Sequence, residues 1–118
     1  MDEEAIRDYC LAKAGVTEDF PFGEDTLVFR VGEKIFLLMG LGKEDPFVNL
    51  KCDPARAVEL RGTYDAVRPG YHMSKKHWNS VYLRGSFTAA ELREWIDHSY
   101  ELVSKKLRKA DRVALGLE

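Results

Sequence analysis

Apolar and polar positions along the chain fall into a helix, three strands, a helix, two strands and a last long helix. Ile6, Tyr9, Cys10 and Lys13 recur at helical spacing, the acids Asp2, Glu3 and Glu4 fill the opening turn, and Gly15 is a natural stop. Acids favour the positive end of a helix, so a helix is expected from about Asp2 to Ala14. Phe20-Pro21-Phe22-Gly23 reads as a loop pinned to the core by its two aromatics. Leu27, Phe29 and Val31 then alternate with Thr26, Val28 and Arg30, and Gly32-Glu33 has the glycine-first form of a two-residue type II′ hairpin turn. Ile35 to Met39 is apolar in both phases, which places it at the centre of a sheet, and Phe47 to Cys52 alternates again.

Asp53-Pro54 is an N-cap acid followed by a first-turn proline, opening a helix expected over Pro54 to Arg61 and stopped by Gly62. A short extended piece before Gly70, a turn through Ser74-Lys75-Lys76 and a strand from about Asn79 to Leu83 follow. Thr88-Ala89-Ala90-Glu91 is a capping box. It opens the longest helix, with Leu92, Ile96, Ser99, Val103 and Leu107 on one face, Trp95 and Leu102 flanking, and Lys105, Lys106, Arg108 and Lys109 at the negative end. The order α-β-β-β-α-β-β-α with short hairpin connections predicts one two-layer α+β domain over residues 1–118, with a mainly antiparallel five-stranded sheet. If Leu27, Phe29, Val31, Val48, Leu50, Val81 and Leu83 face the helices, then Arg30, Asn49, Lys51, Ser80, Tyr82 and Arg84 share the opposite side.

Composition narrows the function classes. A chain with 18 Lys+Arg against 20 Asp+Glu has a formal charge of −2, so it does not coat nucleic acid by bulk charge. Any polyanion binding must come from a local patch. Cys10 and Cys52 have no paired spacing and read as free thiols of a reducing compartment. The acidic opening has the wrong sign for a signal or transit peptide, and no apolar run approaches spanning length. A cytoplasmic location without membrane contact is the expectation.

The candidate chemistry is concentrated between Arg68 and Leu83, a stretch holding two histidines, a tryptophan, two tyrosines and adjacent lysines, inside an acid-free run from Val67 through Ala90. His72 and His77 are five residues apart, a spacing that does not share a helical face, and His98 lies on another element. No metal or cofactor is implied. There is no phosphate loop, nucleophile elbow or zinc-protease motif, and Ser74 or Ser80 beside His72 or His77 lacks a third orienting group, so no catalytic role is expected. The acid beside Cys52 raises rather than lowers a thiol pKa.

Asn49-Leu50-Lys51-Cys52-Asp53-Pro54, Val67-Arg68-Pro69-Gly70-Tyr71-His72-Met73 and Lys75-Lys76-His77-Trp78-Asn79-Ser80-Val81 resemble the MmcQ/YjbR family of small bacterial proteins. Asp19-Phe20-Pro21-Phe22-Gly23 and Ile96-Asp97-His98-Ser99-Tyr100 extend the resemblance over nearly the whole chain, with Ser74 standing where asparagine is common. The resemblance implies an α+β fold similar to frataxin-like and secretion-chaperone-like domains. It also implies DNA binding, on the idea that two hairpin-like wings grip a duplex. In that reading Arg68, Lys75, Lys76 and Arg84 neutralise phosphates, with His72 and His77 beside them, Lys51 and Arg30 on the outer face, and Tyr71, Trp78 and Tyr82 stacking or inserting. Four phosphate contacts correspond to a salt slope of about −3 to −4 in log units. The alternative from another class is a binding module for a protein segment or small ligand, with the aromatics around Pro21 and the loop at Tyr71 lining a shallow pocket. The discriminating expectation is simple: a duplex binder needs its scattered cations gathered into one accessible surface.

Overall fold

The computed structural model describes all 118 residues. Three helices, α1 (Glu3–Leu11), α2 (Pro54–Thr63) and α3 (Ala89–Ser104), pack on one side of a sheet, and a short α4 (Lys109–Ala114) follows. The strands are β1 (Val16–Asp19), β2 (Thr26–Val31), β3 (Lys34–Gly40), β4 (Phe47–Lys51), β5 (Val67–Pro69) and β6 (Trp78–Tyr82). They lie in the order β1-β2-β3-β4-β6-β5, and every neighbouring pair is antiparallel. No helix is long and apolar enough to cross a membrane.

The two-layer α+β architecture matches the expectation, but the sheet has six strands rather than five. The additional one, β1, has the sequence Val-Thr-Glu-Asp, which carries no strand-forming run of its own. It becomes a strand because the free edge of β2 offers it backbone partners, Val16 opposite Val31 and Asp19 opposite Val28. α2 also runs past Gly62, since a solvent-facing glycine inside a helix weakens it without ending it; the last bond is Tyr64 N–H to the Leu60 carbonyl at 2.9 Å. α3 starts at the expected capping box, with Thr88 and Glu91 bonding reciprocally. Lys109, read as part of α3, instead opens α4.

Strand phase behaves as alternation demands. Leu27, Phe29, Val31, Leu37, Met39, Val48, Leu50, Val67 and Val81 form one core with Ile6 and Cys10 of α1 and Leu92, Trp95, Ile96 and Val103 of α3. Gly32 has φ +60°, the left-handed first position that the two-residue turn requires. A bulge in β3 makes Phe36 an extra residue, because Leu37 pairs with Phe29 while Ile35 pairs with Arg30. Its ring meets Tyr100 of α3 edge-on, with centroids 5.4 Å apart. Leu83, expected within the last strand, lies one residue beyond β6 and is only partly buried against the core.

Each residue of Asp97-His98-Ser99-Tyr100 fastens α3 to a different part of the chain. Asp97 accepts from the Tyr9 hydroxyl at 2.6 Å and from the Lys13 amine. His98 Nε2 accepts the Asp53 N–H at 3.2 Å, Ser99 Oγ accepts the Lys51 N–H at 2.9 Å and donates to the Phe36 carbonyl at 2.5 Å, and the Tyr100 hydroxyl donates to the Ala14 carbonyl at 2.6 Å. Cys10 and Cys52 are unbonded and buried; burial pushes the Cys10 thiol up to about 12 and the Cys52 thiol to about 11, with Asp53 adding to the latter.

Candidate functional site

The sheet face turned away from the helices is not a plain solvated surface. Asn49 and Ser80, both placed there by register, are buried, with Asn49 only 6% exposed. What covers them is the loop from Gly70 to His77, which leaves the end of β5, folds back over β4 and β6, and re-enters at Trp78. Three polar groups hold it. Asn49 Nδ2 donates to the Tyr71 carbonyl at 3.1 Å, the Tyr71 N–H donates to Ser80 Oγ at 2.9 Å, and the Ser80 hydroxyl donates to Asn49 Oδ1. Buried polar groups that satisfy one another in this way fix a single loop position, because releasing any one leaves another unpaired.

The loop is also tied by its backbone. Gly70 N–H donates to the Trp78 carbonyl at 2.9 Å, and a Cβ at Gly70 would lie 2.8 Å from the Trp78 Cβ, so only glycine permits this approach. The Lys75 amine donates to the Gly70 carbonyl, and Arg61 of α2 donates to the Lys75 carbonyl at 2.8 Å. His72 sits at φ +57°, the one non-glycine residue of the chain in the left-handed region. A histidine held there costs about 1 kcal/mol or more, and such strain gathers where a side chain must be aimed.

Between this loop and the Phe22 turn lies a groove of about 560 Å³. Ile35 and Leu38 of β3 and Phe47 of β4 form its floor, Tyr71, His72 and Met73 one wall, and Phe22 the other. Aromatic rings run on from it across the sheet. Tyr71 meets Phe47 edge-on at 5.7 Å, Phe47 meets Tyr82 at 5.1 Å, and the Arg68 guanidinium stacks 4.4 Å over Tyr82. The aromatics of Phe20-Pro21-Phe22-Gly23 are not pinned to the core as the sequence suggests; Phe20 is 48% and Phe22 66% exposed. They follow the short edge strand β1 out of the helix layer, and Phe22 turns onto the groove instead. The lining carries one lysine, Lys43, and one histidine, His72, and no carboxylate.

The cations proposed from sequence do not share one surface. Arg30 is bound to Asp19 at 3.1 Å and to the Glu33 carbonyl at 3.0 Å. Arg68 and Arg84 line a different hollow together with Asp45 and Asp65, beside β5. Four strand spacings, roughly 19 Å, separate β2 from β5. Lys51 lies at the far end of β4, opposite Trp78 and near Lys34 and Lys106. Lys76 is exposed on the loop, His77 is exposed where the loop re-enters the sheet with its carbonyl accepting the Cys52 N–H at 2.8 Å, and Lys75 is held against the loop backbone. Trp78 lines the groove, half-buried, and Tyr82 stands under Arg68. No group of His, Cys, Asp or Glu side chains has the geometry of a metal site.

Sequence reasoning picked out Tyr71, His72, Trp78 and the Pro21 aromatics, but it missed Ile35, Leu38, Phe47, Met73 and Lys43. The signal for the floor was present in the double-phase apolar run Ile35–Met39. The bulge at Phe36 sorts the run: Phe36, Leu37 and Met39 pack on the helix side, and Ile35 and Leu38 form the groove.

An antiparallel sheet with helices on one face and a fastened loop on the other makes this an α+β domain, and its relatives give it a family. The YjbR family model matches residues 11–102, and the chain belongs to the YjbR family. Escherichia coli YbdF is 43% identical over 93 residues, 79% of this chain and 76% of that protein; YjbR of E. coli K12 is 31% identical over 115 residues, 98% of each. Both are described as uncharacterized. The crystal structure of the Deinococcus radiodurans protein DR2400 superposes with a TM-score of 0.91 at 39% identity, covering 98% of this chain and 88% of that one. A Pseudomonas syringae protein superposes at 0.76 with 28% identity over 87% of this chain and 99% of its own.

Proposed function

We propose that the protein is a non-catalytic binding module that takes an apolar, ring-bearing ligand with a negative charge into the groove on its uncovered sheet face. The observation that carries this reading is the groove itself: seven of its twelve lining residues are hydrophobic, the lining holds two basic side chains and no carboxylate, and its volume of about 560 Å³ suits a small molecule or two or three side chains of a partner segment. An apolar lining contributes about 25 cal/mol per Å² of surface it removes from water, while Lys43 and His72 select the charge. Two buried, unpaired thiols fit a reducing interior, and we place the module in the cytoplasm.

Duplex DNA is the competing occupant. It draws support from the exposed Lys76, His77 and Arg84, and it is weakened by the separation of these cations and by the acids beside Arg68 and Arg84. A ligand-observed NMR screen of aromatic carboxylates and short acidic peptides, paired with a mobility-shift assay at several salt concentrations, separates the two. Binding in the groove perturbs Leu38, Phe47 and Met73 and weakens about tenfold or more in Tyr71→Ala, with little salt dependence. Salt-sensitive duplex binding that is lost in Lys75→Glu/Lys76→Glu and indifferent to Tyr71→Ala would overturn the groove reading.

A further inference from the structure

A second group of positive charges lies away from the groove, where three elements meet. Lys34 opens β3 and Lys51 closes β4; these strands are antiparallel with Leu37 opposite Leu50, so both lysines stand at the same end of the sheet. α3 is fastened over this end by Ser99, which bridges the Lys51 N–H and the Phe36 carbonyl, and the chain leaving α3 brings Lys106 above them. Lys34 and Lys106 line a cleft of about 780 Å³ between the β2–β3 turn and the α3–α4 junction, floored by Leu107 and Leu115.

None of the three amines has a carboxylate partner; the ion pairs of the molecule are Arg7–Glu18, Lys13–Asp97, Arg30–Asp19, Arg56–Glu94, Arg108–Asp111 and Arg112–Glu118. Glu33 and Asp111 also line the cleft, but Asp111 is engaged by Arg108 at 3.2 Å. The half-buried Lys51 ammonium has its pKa held below the usual lysine value by burial first and then by the charges of Lys106 and Lys34, and no carboxylate acts on it. The C-terminal end of α3 accounts for one cation there, Lys106. It does not account for Lys51, which stands at the same sheet end as Lys34 and feels the charges of both Lys106 and Lys34, an arrangement that costs free energy unless an anion sits among them.

We propose that Lys34, Lys51 and Lys106 form a receptor for a multiply charged phosphate group, of the kind carried by inorganic pyrophosphate or by a small molecule ending in an oligophosphate. Three convergent ammonium groups match an anion of two or more charges. A lone carboxylate would leave most of the positive charge unanswered, and a phosphodiester carries one charge per phosphate, spread along a strand. Lysine presents a compact point charge to phosphate rather than a planar fork, which suits a tetrahedral group approached from three sides.

Titration of the whole protein with pyrophosphate at low ionic strength, followed by amide and lysine side-chain NMR, tests the assignment. Saturable shifts are expected at Lys34, Lys51 and Lys106, together with a rise in the Lys51 titration midpoint on binding. Lys51→Met/Lys106→Met, which keeps both stems, weakens binding about tenfold or more, whereas Lys75→Met/Lys76→Met leaves it within about twofold. Lys51→Met alone raises the melting temperature in phosphate-free buffer, because it relieves the repulsion, and abolishes the further rise that pyrophosphate produces in the parent protein. The assignment fails if no saturable shift occurs, if the shifts centre on Lys75 to His77, or if the double variant binds as the parent does. It fails equally if Lys51→Met lowers the melting temperature.

Discussion

The two faces of the sheet are made from the same strands, and what completes each is different. On one, Phe29, Leu37, Met39, Val48 and Val81 meet side chains from α1 and α3, and those residues are sealed. On the other, Ile35, Leu38 and Phe47 meet only a loop and a turn, so they remain half-buried around a groove. The helix face is completed mainly by apolar burial, which is non-directional, with Ser99 as a directed bridge across it. The groove face is completed by Asn49, Ser80 and the Tyr71 backbone, where each hydrogen bond must be met by a particular atom. Stability therefore resides mainly in the first face, and precise positioning in the second.

Substitutions on matched positions put numbers on that contrast. Phe29→Ala should cost about 3–5 kcal/mol, whereas Leu38→Ala, one strand away on the groove side, should cost no more than about 2, because its surroundings are already open. Urea denaturation measures both, and equal losses would show that the outer face is as much core as the inner. Ser80→Ala should cost about 2 kcal/mol by stranding the Tyr71 N–H and Asn49 Oδ1, and it should speed amide exchange at Tyr71 far more than in α3. Uniform exchange across the chain would mean that the loop is not fastened locally.

Smaller and of opposite sign, His72→Gly should raise stability by about 1 kcal/mol through relief of the left-handed backbone, while weakening groove binding. A stability loss would indicate that the imidazole contributes packing instead of being aimed outward. The slightest effect concerns pH. His98 accepts the Asp53 N–H and must be unprotonated to do so; burial and then Arg56 hold its pKa below the ordinary value. The unfolded chain therefore takes up this proton at a higher pH than the native one. The His98 contribution is complete above the unfolded value of about 6.5 and is lost as pH falls through the folded value. Denaturant midpoints at pH 7.5 and 5 should differ less in His98→Gln than in the parent protein, and an unchanged difference would remove His98 from the account.

Much of the fold was legible because it depends on near neighbours in the chain. Alternation in Thr26–Val31 and Phe47–Lys51 placed the core side correctly, the Gly32-Glu33 turn took its expected form, and the capping box at Thr88 and Glu91 closed as read. β1 was not legible, since Val16–Asp19 is a strand only by virtue of the β2 edge beside it. Parts of the candidate site were visible as unusual residue types, Tyr71, His72 and Trp78 among them. Their partners Phe22, Leu38 and Phe47 are distant in sequence and look like ordinary strand and turn residues.

Side-chain order along the chain was enough to decide which positions face inward, where helices begin and to which family the protein belongs. Long-range packing alone decided that Arg68 and Arg84 share a hollow with Asp45 and Asp65 while Lys51 stands at the other end of β4, that Arg30 pairs with Asp19, and that a loop roofs the polar positions of β4 and β6. The physical reason is range. Helix caps, tight turns and alternation are settled within a few residues, whereas a groove or a cluster of charges exists only once strands far apart in the chain have been paired in register.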